Sequence, residues 1–308
     1  DVADVLALGA EDYEGGEADT YNMAVMGLRL AQRANGVSKL HGEVSRRMFG
    51  ALWPGFDSAD VPITSVTNGV HAPTWTDRSV TSLAAQKLGT SDTTACDWLA
   101  ESITDADLWQ LWATLREKLV LDARARMSAA WRAQHPSVEP PAWYDSLLDP
   151  NVLTIGFARR VPTYKRLTLM LHDEDRLRSL LCDPERPVQI VVAGKSHPAD
   201  DEGKRLIQRL VRFANEPAIR GRLVFLPNYD IGMAQVLYPG TDVWLNNPLR
   251  PLEACGTSGM KAAMNGSLNL SILDPLMVVS LEYPSGTSLP PAQARRRDDD
   301  DDPFGLKE

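Results

Sequence analysis

With 308 residues, 44% of them hydrophobic and 24% charged, the chain has the composition of a folded protein of one large or two smaller domains. Its formal net charge of -9 argues against a general nucleic-acid-binding protein, which needs an excess of lysine and arginine to neutralise phosphates. Three scattered cysteines, five isolated histidines and the lack of any apolar run of ~20 residues predict a cytoplasmic protein without disulfides, a metal site or a membrane-spanning helix.

The first part of the sequence is predicted to be mainly helical. Apolar residues at helical spacing predict a first helix, which ends at Gly36 before a second helix begins near Ser38; these residues are Met23, Met26, Leu30 and Ala34. The run VPITSVTNGVHAPTW, residues 61–75, is β-branched and then carries Asn-Gly and Pro, so it predicts a short strand that leads into a loop. Residues 76–135 are predicted to form helices, whose Trp and Leu side chains fall on one stripe that we expect to face the core.

A different pattern begins at residue 151. Four short runs rich in Val, Ile and Leu alternate with helix-like stretches; the runs are VLTIGFA, VQIVVAG, RLVFLPN and TDVWLNN. This alternation predicts an α/β fold with a parallel, doubly wound sheet, in which functional side chains lie just after the carboxyl ends of the strands. Residues 275–308 lose the pattern and contain three arginines followed by five aspartates, so we expect a disordered tail.

Two loops after these strands carry residues suited to phosphate binding. Residues 159–166, RRVPTYKR, place four cations in eight residues after the first strand. Residues 253–261, EACGTSGMK, combine a carboxylate, a turn of small residues and a lysine at the start of a predicted helix, where backbone N–H groups attract anions. If both loops line one crevice, Arg159, Arg160 and Lys165 face this turn and form a phosphate site; the alternative is a solvated surface loop.

The residue pattern leaves the roles of Glu253 and Lys261 open. Glu253 has three possible roles, because a carboxylate in this place can hydrogen-bond a sugar hydroxyl, act as an acid or base, or cap the helix. Lys261 can be an ion partner, a contact to phosphate, or an amine that condenses with an aldehyde cofactor. Spacing does not choose among these roles. The pattern therefore predicts an α/β enzyme with a crevice for several phosphates, and nothing more specific.

Four blocks of the sequence, in this order, resemble the α-glucan phosphorylases, the family that acts on glycogen, starch and maltodextrin. The blocks are RANGVSKLHGEVSR, TNGVHAPTW, GFARRVPTYKR and EACGTSGMKAAMNGSLNLSILD, and their form is most similar to the bacterial, actinobacterial type. The resemblance implies two Rossmann-like domains of the GT-B glycosyltransferase architecture. Residues 1–72 would be the end of the first domain, most of which lies outside this chain, and residues 73–274 part of the second.

The resemblance also implies a cofactor, pyridoxal 5′-phosphate, which the amine of Lys261 would anchor. The other residues implied to contact the cofactor are Arg159, Trp75, Tyr229, Thr257 and Gly259. Arg160 and Lys165 would hold the substrate phosphate beside the cofactor phosphate. The residues implied to contact the glucosyl group are Glu253, Asn68, Tyr164 and Gly256.

The implied reaction is phosphorolysis of a terminal α-1,4-glucosyl unit of a glucan or maltodextrin by inorganic phosphate. The product is α-D-glucose 1-phosphate, formed with retention of configuration, and the complete protein would be a homodimer. A second interpretation is a nucleotide-sugar-dependent retaining glucosyltransferase of the same architecture, similar to glycogen synthase. Enzymes of that kind have no lysine at the position of Lys261, so this residue distinguishes the two interpretations.

Overall fold

The computed structural model describes residues 1–17, 19–159, 166–249 and 252–272, together with the backbone of Arg160. The α-helices are α1 (Val2–Gly9), α2 (Met23–Leu30), α3 (Lys39–Phe49), α4 (Ala72–Trp75), α5 (Arg78–Leu88), α6 (Asp105–Gln134), α7 (Glu174–Leu181), α8 (Asp201–Ala214), α9 (Ile231–Leu237) and α10 (Ser258–Ala263). The strands are β1 (Ala34–Gly36), β2 (Ile63–Ser65), β3 (Leu153–Arg160), β4 (Val188–Lys195), β5 (Leu223–Pro227), β6 (Val243–Asn246) and β7 (Leu268–Ser271). The predicted tail, residues 275–308, lies outside the described residues.

A five-stranded parallel sheet organises the second half of the chain, and its strand order is β5-β4-β3-β6-β7. The four predicted strands are all present, and the prediction of a parallel α/β sheet is confirmed. The fifth strand, β7, was not predicted. From β3 the chain runs outward through β4 to β5 and then returns to the other side of β3 as β6. The direction of winding therefore reverses between β3 and β6, which is where open α/β sheets bind ligands.

Helices cover both faces of this sheet. On one face α6 and α9 pack on the strands, and the buried side chains there include Leu119, Leu237 and Trp244. On the other face α7, α8 and the 3-10 segment Leu167–Leu171 enclose a second cluster, which includes Phe157 and Leu210. Because parallel strands are buried on both sides, they appear in the sequence as continuous apolar runs, and this is why the four runs could be recognised.

The first part of the chain differs from its prediction. Ala34 does not extend the first helix, because α2 ends at Leu30 and Ala34 begins β1, which pairs in parallel with β2. Of the residues that predicted this helix, Met23 is 65% and Leu30 60% exposed, whereas Val25, which lies outside that spacing, is fully buried. Pairing with a strand that is distant in sequence therefore outweighs helical spacing here. The second predicted helix is present as α3, with Ser38 as its N-cap.

In the long helix α6, the expectation that the Trp and Leu side chains face the core is only partly met. Leu111, Leu115 and Leu119 are buried as predicted, but Trp109 is 66% exposed and does not belong to the core. Residues 89–104, which were predicted to be helical, form turns and irregular backbone between α5 and α6. Gly89 ends α5 in the left-handed region, at φ 72°, where glycine is favoured.

Candidate active site

A buried ion pair joins the two loops that the sequence predicted to meet. Nη1 of Arg159, at the end of β3, lies 3.3 Å from Oε2 of Glu253, and these side chains are only 6% and 11% exposed. The pair spans the point between β3 and β6 at which the winding of the sheet reverses. Charged groups this well removed from water are held in place strongly, because separating them would leave each charge buried without compensation.

Lys261 projects from α10 onto a wall of aromatic rings. Its Nζ lies 3.7 Å from the centroid of the Trp75 ring and 5.6 Å from that of Tyr238. Burial lowers the pKa of the Lys261 amine below its ordinary value of 10.5, because burial disfavours the charged form. No acidic side chain in the described part of the chain forms an ion pair with this amine. A partly desolvated amine of this kind is more readily uncharged, and therefore more nucleophilic, than a surface lysine.

Two tyrosines form the back of the aromatic wall. The hydroxyl groups of Tyr229 and Tyr238 lie 2.6 Å apart and share a hydrogen bond. Tyr238 also packs edge-on against Trp75, with ring centroids 5.8 Å apart, and lies 4.5 Å from Trp244. Burial raises the pKa of both Tyr229 and Tyr238, so both hydroxyls stay protonated at neutral pH. Together these rings keep water away from one side of the Lys261 amine.

The loop before α10 and the first turn of that helix are held by contacts from three directions. Ser38, which is fully buried, donates from its Oγ to the carbonyl oxygen of Ala254 at 2.8 Å. Nε1 of Trp244 donates to Oγ of Ser258 at 3.1 Å, and Nδ2 of Asn269 donates to the carbonyl oxygen of Gly259 at 3.1 Å. These hydrogen bonds fix the position of a segment that consists mostly of small residues.

The sequence of nearly the whole described region matches one family. A model of the carbohydrate phosphorylases, named Phosphorylase, matches residues 12–279. The chain belongs to the carbohydrate phosphorylase family. It is 58% identical over 278 residues to the glycogen phosphorylase of Mycobacterium tuberculosis, a match that covers 88% of this chain and 31% of that protein.

More distant relatives agree with this assignment. The chain is 45% identical over 279 residues to the glycogen phosphorylase of Aquifex aeolicus, which covers 89% of this chain and 40% of that one. It is 40% identical over 265 residues to the maltodextrin phosphorylase of Thermococcus litoralis, covering 84% of this chain and 31% of that one. The chain thus spans about a third of the length of the curated relatives that it matches.

Some of the site residues predicted from the sequence are in contact, and others lie outside the described residues. The structure brings Arg159 and Glu253 into contact with each other, and it brings Lys261 into contact with Trp75. Tyr229 joins this wall through Tyr238. The side chains of Arg160, Tyr164 and Lys165 lie outside the described residues, so their placement stays a prediction.

The remaining predicted residues lie at the start of α10 and on the loop after β2. Thr257 is the N-cap of α10 but makes no side-chain capping hydrogen bond, and Gly256 precedes it, partly buried. Gly259 is buried against Asn269, so a Cβ at this position would lie 2.8 Å from Oδ1 of that residue. Asn68 lies on the exposed loop after β2, where its backbone N–H donates to the carbonyl oxygen of Val37 at 3.0 Å.

Sequence reasoning missed three residues of the candidate site. These are Tyr238 in the aromatic wall, Ser38 at the carbonyl of Ala254, and Asn265, whose amide bonds to the carbonyl oxygens of Trp75 and Lys261. The spacing of four between Lys261 and Asn265 was a usable signal, because residues four apart lie on one face of a helix.

In the described part of the chain, no group of three or more His, Cys, Asp or Glu residues is arranged to hold a metal ion. None of the described helices combines the length and hydrophobicity needed to cross a membrane.

Proposed function

We propose that this chain carries the cofactor site of an α-glucan phosphorylase. The reaction is the cleavage of a terminal α-1,4-glucosyl unit of glycogen or maltodextrin by inorganic phosphate, which gives α-D-glucose 1-phosphate with retention of configuration. The names of the relatives, glycogen phosphorylase and maltodextrin phosphorylase, support this choice. The observation that carries it is the amine of Lys261, which is partly desolvated against Trp75 and has a lowered pKa.

The residues of the site fit pyridoxal 5′-phosphate. The Lys261 amine is suited to bind an aldehyde, the Trp75 and Tyr238 rings offer flat surfaces to an aromatic ring, and the Arg159 guanidinium offers a positive charge to a phosphate. In addition, Oδ1 of Asn247, just after β6, is buried and has no hydrogen-bond partner within the described residues. A sugar hydroxyl is the kind of donor that this acceptor lacks.

In the proposed reaction, an oxygen of inorganic phosphate replaces the glycosidic oxygen at the anomeric carbon of the terminal glucose. The bond from that carbon to the glycosidic oxygen breaks, and a proton of the inorganic phosphate passes to the glycosidic oxygen, which leaves as the hydroxyl of the shortened glucan. When bound, the cofactor supplies a second phosphate group beside the substrate phosphate, so that protons are shared between two anions that would otherwise repel each other.

The protein groups have three tasks in this proposal. Arg160 and Lys165 hold the substrate phosphate, and Arg159 adds positive charge on the cofactor side. Glu253, kept in place by Arg159, accepts a hydrogen bond from a glucose hydroxyl, and Asn68, Tyr164 and Gly256 complete the glucosyl pocket. Thr257 and Gly259 bind the cofactor phosphate. The aromatic wall excludes water, which favours transfer to phosphate over hydrolysis.

We further propose that the complete protein has the GT-B architecture with the site between two Rossmann-like domains. Residues 1–72 would belong to the first domain and residues 73–274 to the second. The two-stranded sheet of β1 and β2, which is separate from the five-stranded sheet, supports this division. The hydrogen bond from Ser38 to the carbonyl oxygen of Ala254 would then lie between the two domains. A homodimer in the cytoplasm is proposed for the complete protein on the basis of the family resemblance. A nucleotide-sugar glucosyltransferase is less well supported, since it gives Lys261 no role.

The test is chemical labelling of the 308-residue chain. The protein is incubated with pyridoxal 5′-phosphate, reduced with borohydride, and its labelled lysine identified by peptide mapping. We expect the label on Lys261, loss of that label in Lys261→Arg, which keeps the charge but cannot condense with an aldehyde, and an unchanged result in Lys204→Arg, which alters an exposed lysine. Label spread over exposed lysines in proportion to their accessibility would refute the assignment.

A further inference from the structure

The side chain of Asn265 connects three backbone groups that are far apart along the chain. Its Nδ2 donates to the carbonyl oxygens of Trp75 and Lys261, each at 2.8 Å, and its Oδ1 accepts the N–H of Asp77 at 2.7 Å. Asn265 is only 1% exposed, so water does not compete for these bonds. Both N–H groups of the amide and its oxygen are therefore used within the protein.

Two of these backbone groups belong to the residues whose side chains meet in the site. Nζ of Lys261 lies 3.7 Å from the centroid of the Trp75 ring, and the carbonyls of these same residues share the Asn265 amide. The third group, the N–H of Asp77, lies at the start of α5, where the Asp77 carboxylate also binds Lys118 at 2.8 Å. Asn265 thus holds segment 75–77 on α10 at the place where the aromatic wall touches the amine.

We propose that Asn265 is a positioning residue of this site, because it keeps the Trp75 indole against the Lys261 amine. If the amide is removed, three partly buried backbone groups lose their partner, and segment 75–77 must move away from α10 for them to reach water. The amine then becomes more hydrated. The consequence for cofactor binding rests on the proposed function, whereas the position of the amine does not.

An asparagine is the side chain that these three bonds require. An aspartate of the same shape still accepts the N–H of Asp77, but its other oxygen faces the carbonyl oxygens of Trp75 and Lys261 and repels them. An alanine makes none of the bonds. Asn265→Asp therefore removes the two donors at nearly constant volume, and Asn265→Ala removes the whole contact. A matched control is Asn22→Ala, because Asn22 also makes three hydrogen bonds but lies at the start of α2.

The experiment measures the reactivity of Lys261 directly. The 308-residue chain and its variants are acetylated with acetic anhydride over a pH series, and each lysine is quantified by mass spectrometry. In the unchanged protein we expect Lys261 to reach half-maximal labelling at a lower pH than the exposed Lys204, because burial lowers its pKa. The titratable groups of the aromatic wall, the hydroxyls of Tyr229 and Tyr238 with the Arg159 guanidinium beside them, are kept in Asn265→Ala. Asn265→Asp adds a carboxylate, which favours the charged amine by itself, so the profile of Asn265→Ala decides.

We expect Asn265→Ala and Asn265→Asp to move the labelling profile of Lys261 toward that of Lys204, and Asn22→Ala to leave it unchanged. Retention of pyridoxal 5′-phosphate should fall about fivefold or more in the Asn265 variants, the order expected for the loss of one buried hydrogen bond. A profile of Lys261 that is unchanged in folded Asn265 variants would overturn the proposal. So would variants that all fail to fold, since Asn265 would then serve the fold as a whole.

The two proposals fail in different ways. If the unchanged protein takes no borohydride-stable label at Lys261 but its acetylation profile shifts in Asn265→Ala, the cofactor assignment is wrong and the positioning role stands. If Lys261 takes the borohydride-stable label of pyridoxal 5′-phosphate equally in the unchanged protein and in Asn265→Asp, the cofactor assignment stands and the positioning role is wrong.

Discussion

Substitution of Gly259 gives the sharpest test of how the start of α10 is held in place. It lies in the first turn of α10, and a Cβ added there would lie 2.8 Å from Oδ1 of Asn269, about 0.6 Å closer than the 3.4 Å at which ordinary contact begins. The amide of Asn269 cannot simply turn away, because its Nδ2 donates to the carbonyl oxygen of Gly259 at 3.1 Å. Gly259→Ala must therefore either break this hydrogen bond or move α10.

The expected cost follows from two opposing contributions. Inserting a methyl group into a filled space costs about 1–3 kcal/mol of unfolding free energy. Alanine in a helix is favoured over glycine by about 1 kcal/mol. The net loss in Gly259→Ala is then about 0–2 kcal/mol. In an Asn269→Ala background the obstructing atom is absent, so the same substitution should stabilise the protein by up to about 1 kcal/mol. The sign of the effect thus depends on a single neighbouring side chain.

Urea unfolding of the unchanged chain, the two single variants and the double variant measures this coupling. We expect an interaction energy of about 1–3 kcal/mol, as is usual for residues in direct contact. Retention of pyridoxal 5′-phosphate, measured on the same four proteins, should fall in Gly259→Ala and recover in part in the double variant. If Gly259→Ala destabilises the chain equally with and without Asn269, the clash is not the cause and the reasoning is refuted.

Two further predictions concern the helix α6. The Asp107 carboxylate accepts the backbone N–H of Thr104 and pairs with Lys87 at 2.9 Å, which lowers its pKa from 3.8 to about 2. A lowered pKa in the folded state stabilises the protein above pH 3.8, and this contribution is lost as the pH falls toward 2. The difference in unfolding free energy between the unchanged chain and Asp107→Asn, measured by urea titration, should therefore shrink over this range. Arg116→Met should cost about 3–5 kcal/mol of unfolding free energy in the same assay, because it leaves the Asp242 carboxylate inside the protein without its ion partner. Adding Asp242→Asn should recover part of that loss, and equal stability of single and double variants would contradict the assignment.

The main sheet could be predicted because its strands are buried on both faces. The runs that became β3, β4, β5 and β6 are continuous in Val, Ile and Leu, which distinguishes them from the helices between them. β7 was missed because it is an edge strand with an alternating pattern, in which Leu268 and Leu270 are 53% and 59% exposed. Its pairing with β6 determines its structure, and that pairing is not visible in four residues of sequence.

The errors in the first part of the chain have a common cause. Met23 and Leu30 follow the helical spacing and lie in α2, but their side chains are exposed and Val25 is buried instead. Ala34 fits the same spacing, yet it pairs with Ile63 in a parallel ladder. A short apolar pattern cannot show which of its residues will find a partner far along the chain, so tertiary contacts override it.

The candidate site could be predicted only as a set of motifs. Arg159, Glu253 and Lys261 could be singled out because they follow strands or stand at a helix start, where functional residues collect. Trp75 was implied only by the family resemblance. Tyr238 was not found, since within α9 and its end it is one apolar position among several. Its hydroxyl forms a hydrogen bond with that of Tyr229, and this contact depends on the packing of α9 against the sheet.

Lys261 shows why the chemistry of a motif depends on the rest of the fold. The GTSGMK segment places a lysine on a short helix, but nothing in that segment lowers the pKa of its amine. Desolvation does so, and the aromatic surfaces against the amine come from Trp75, 186 positions earlier, and from Tyr238 on the preceding helix. Asn265 supplies the hydrogen bonds that keep the Trp75 segment in place. Transferring the motif alone to another α/β protein should therefore give a lysine with an ordinary pKa, and the reactivity should return only when the aromatic wall and the asparagine are transferred with it.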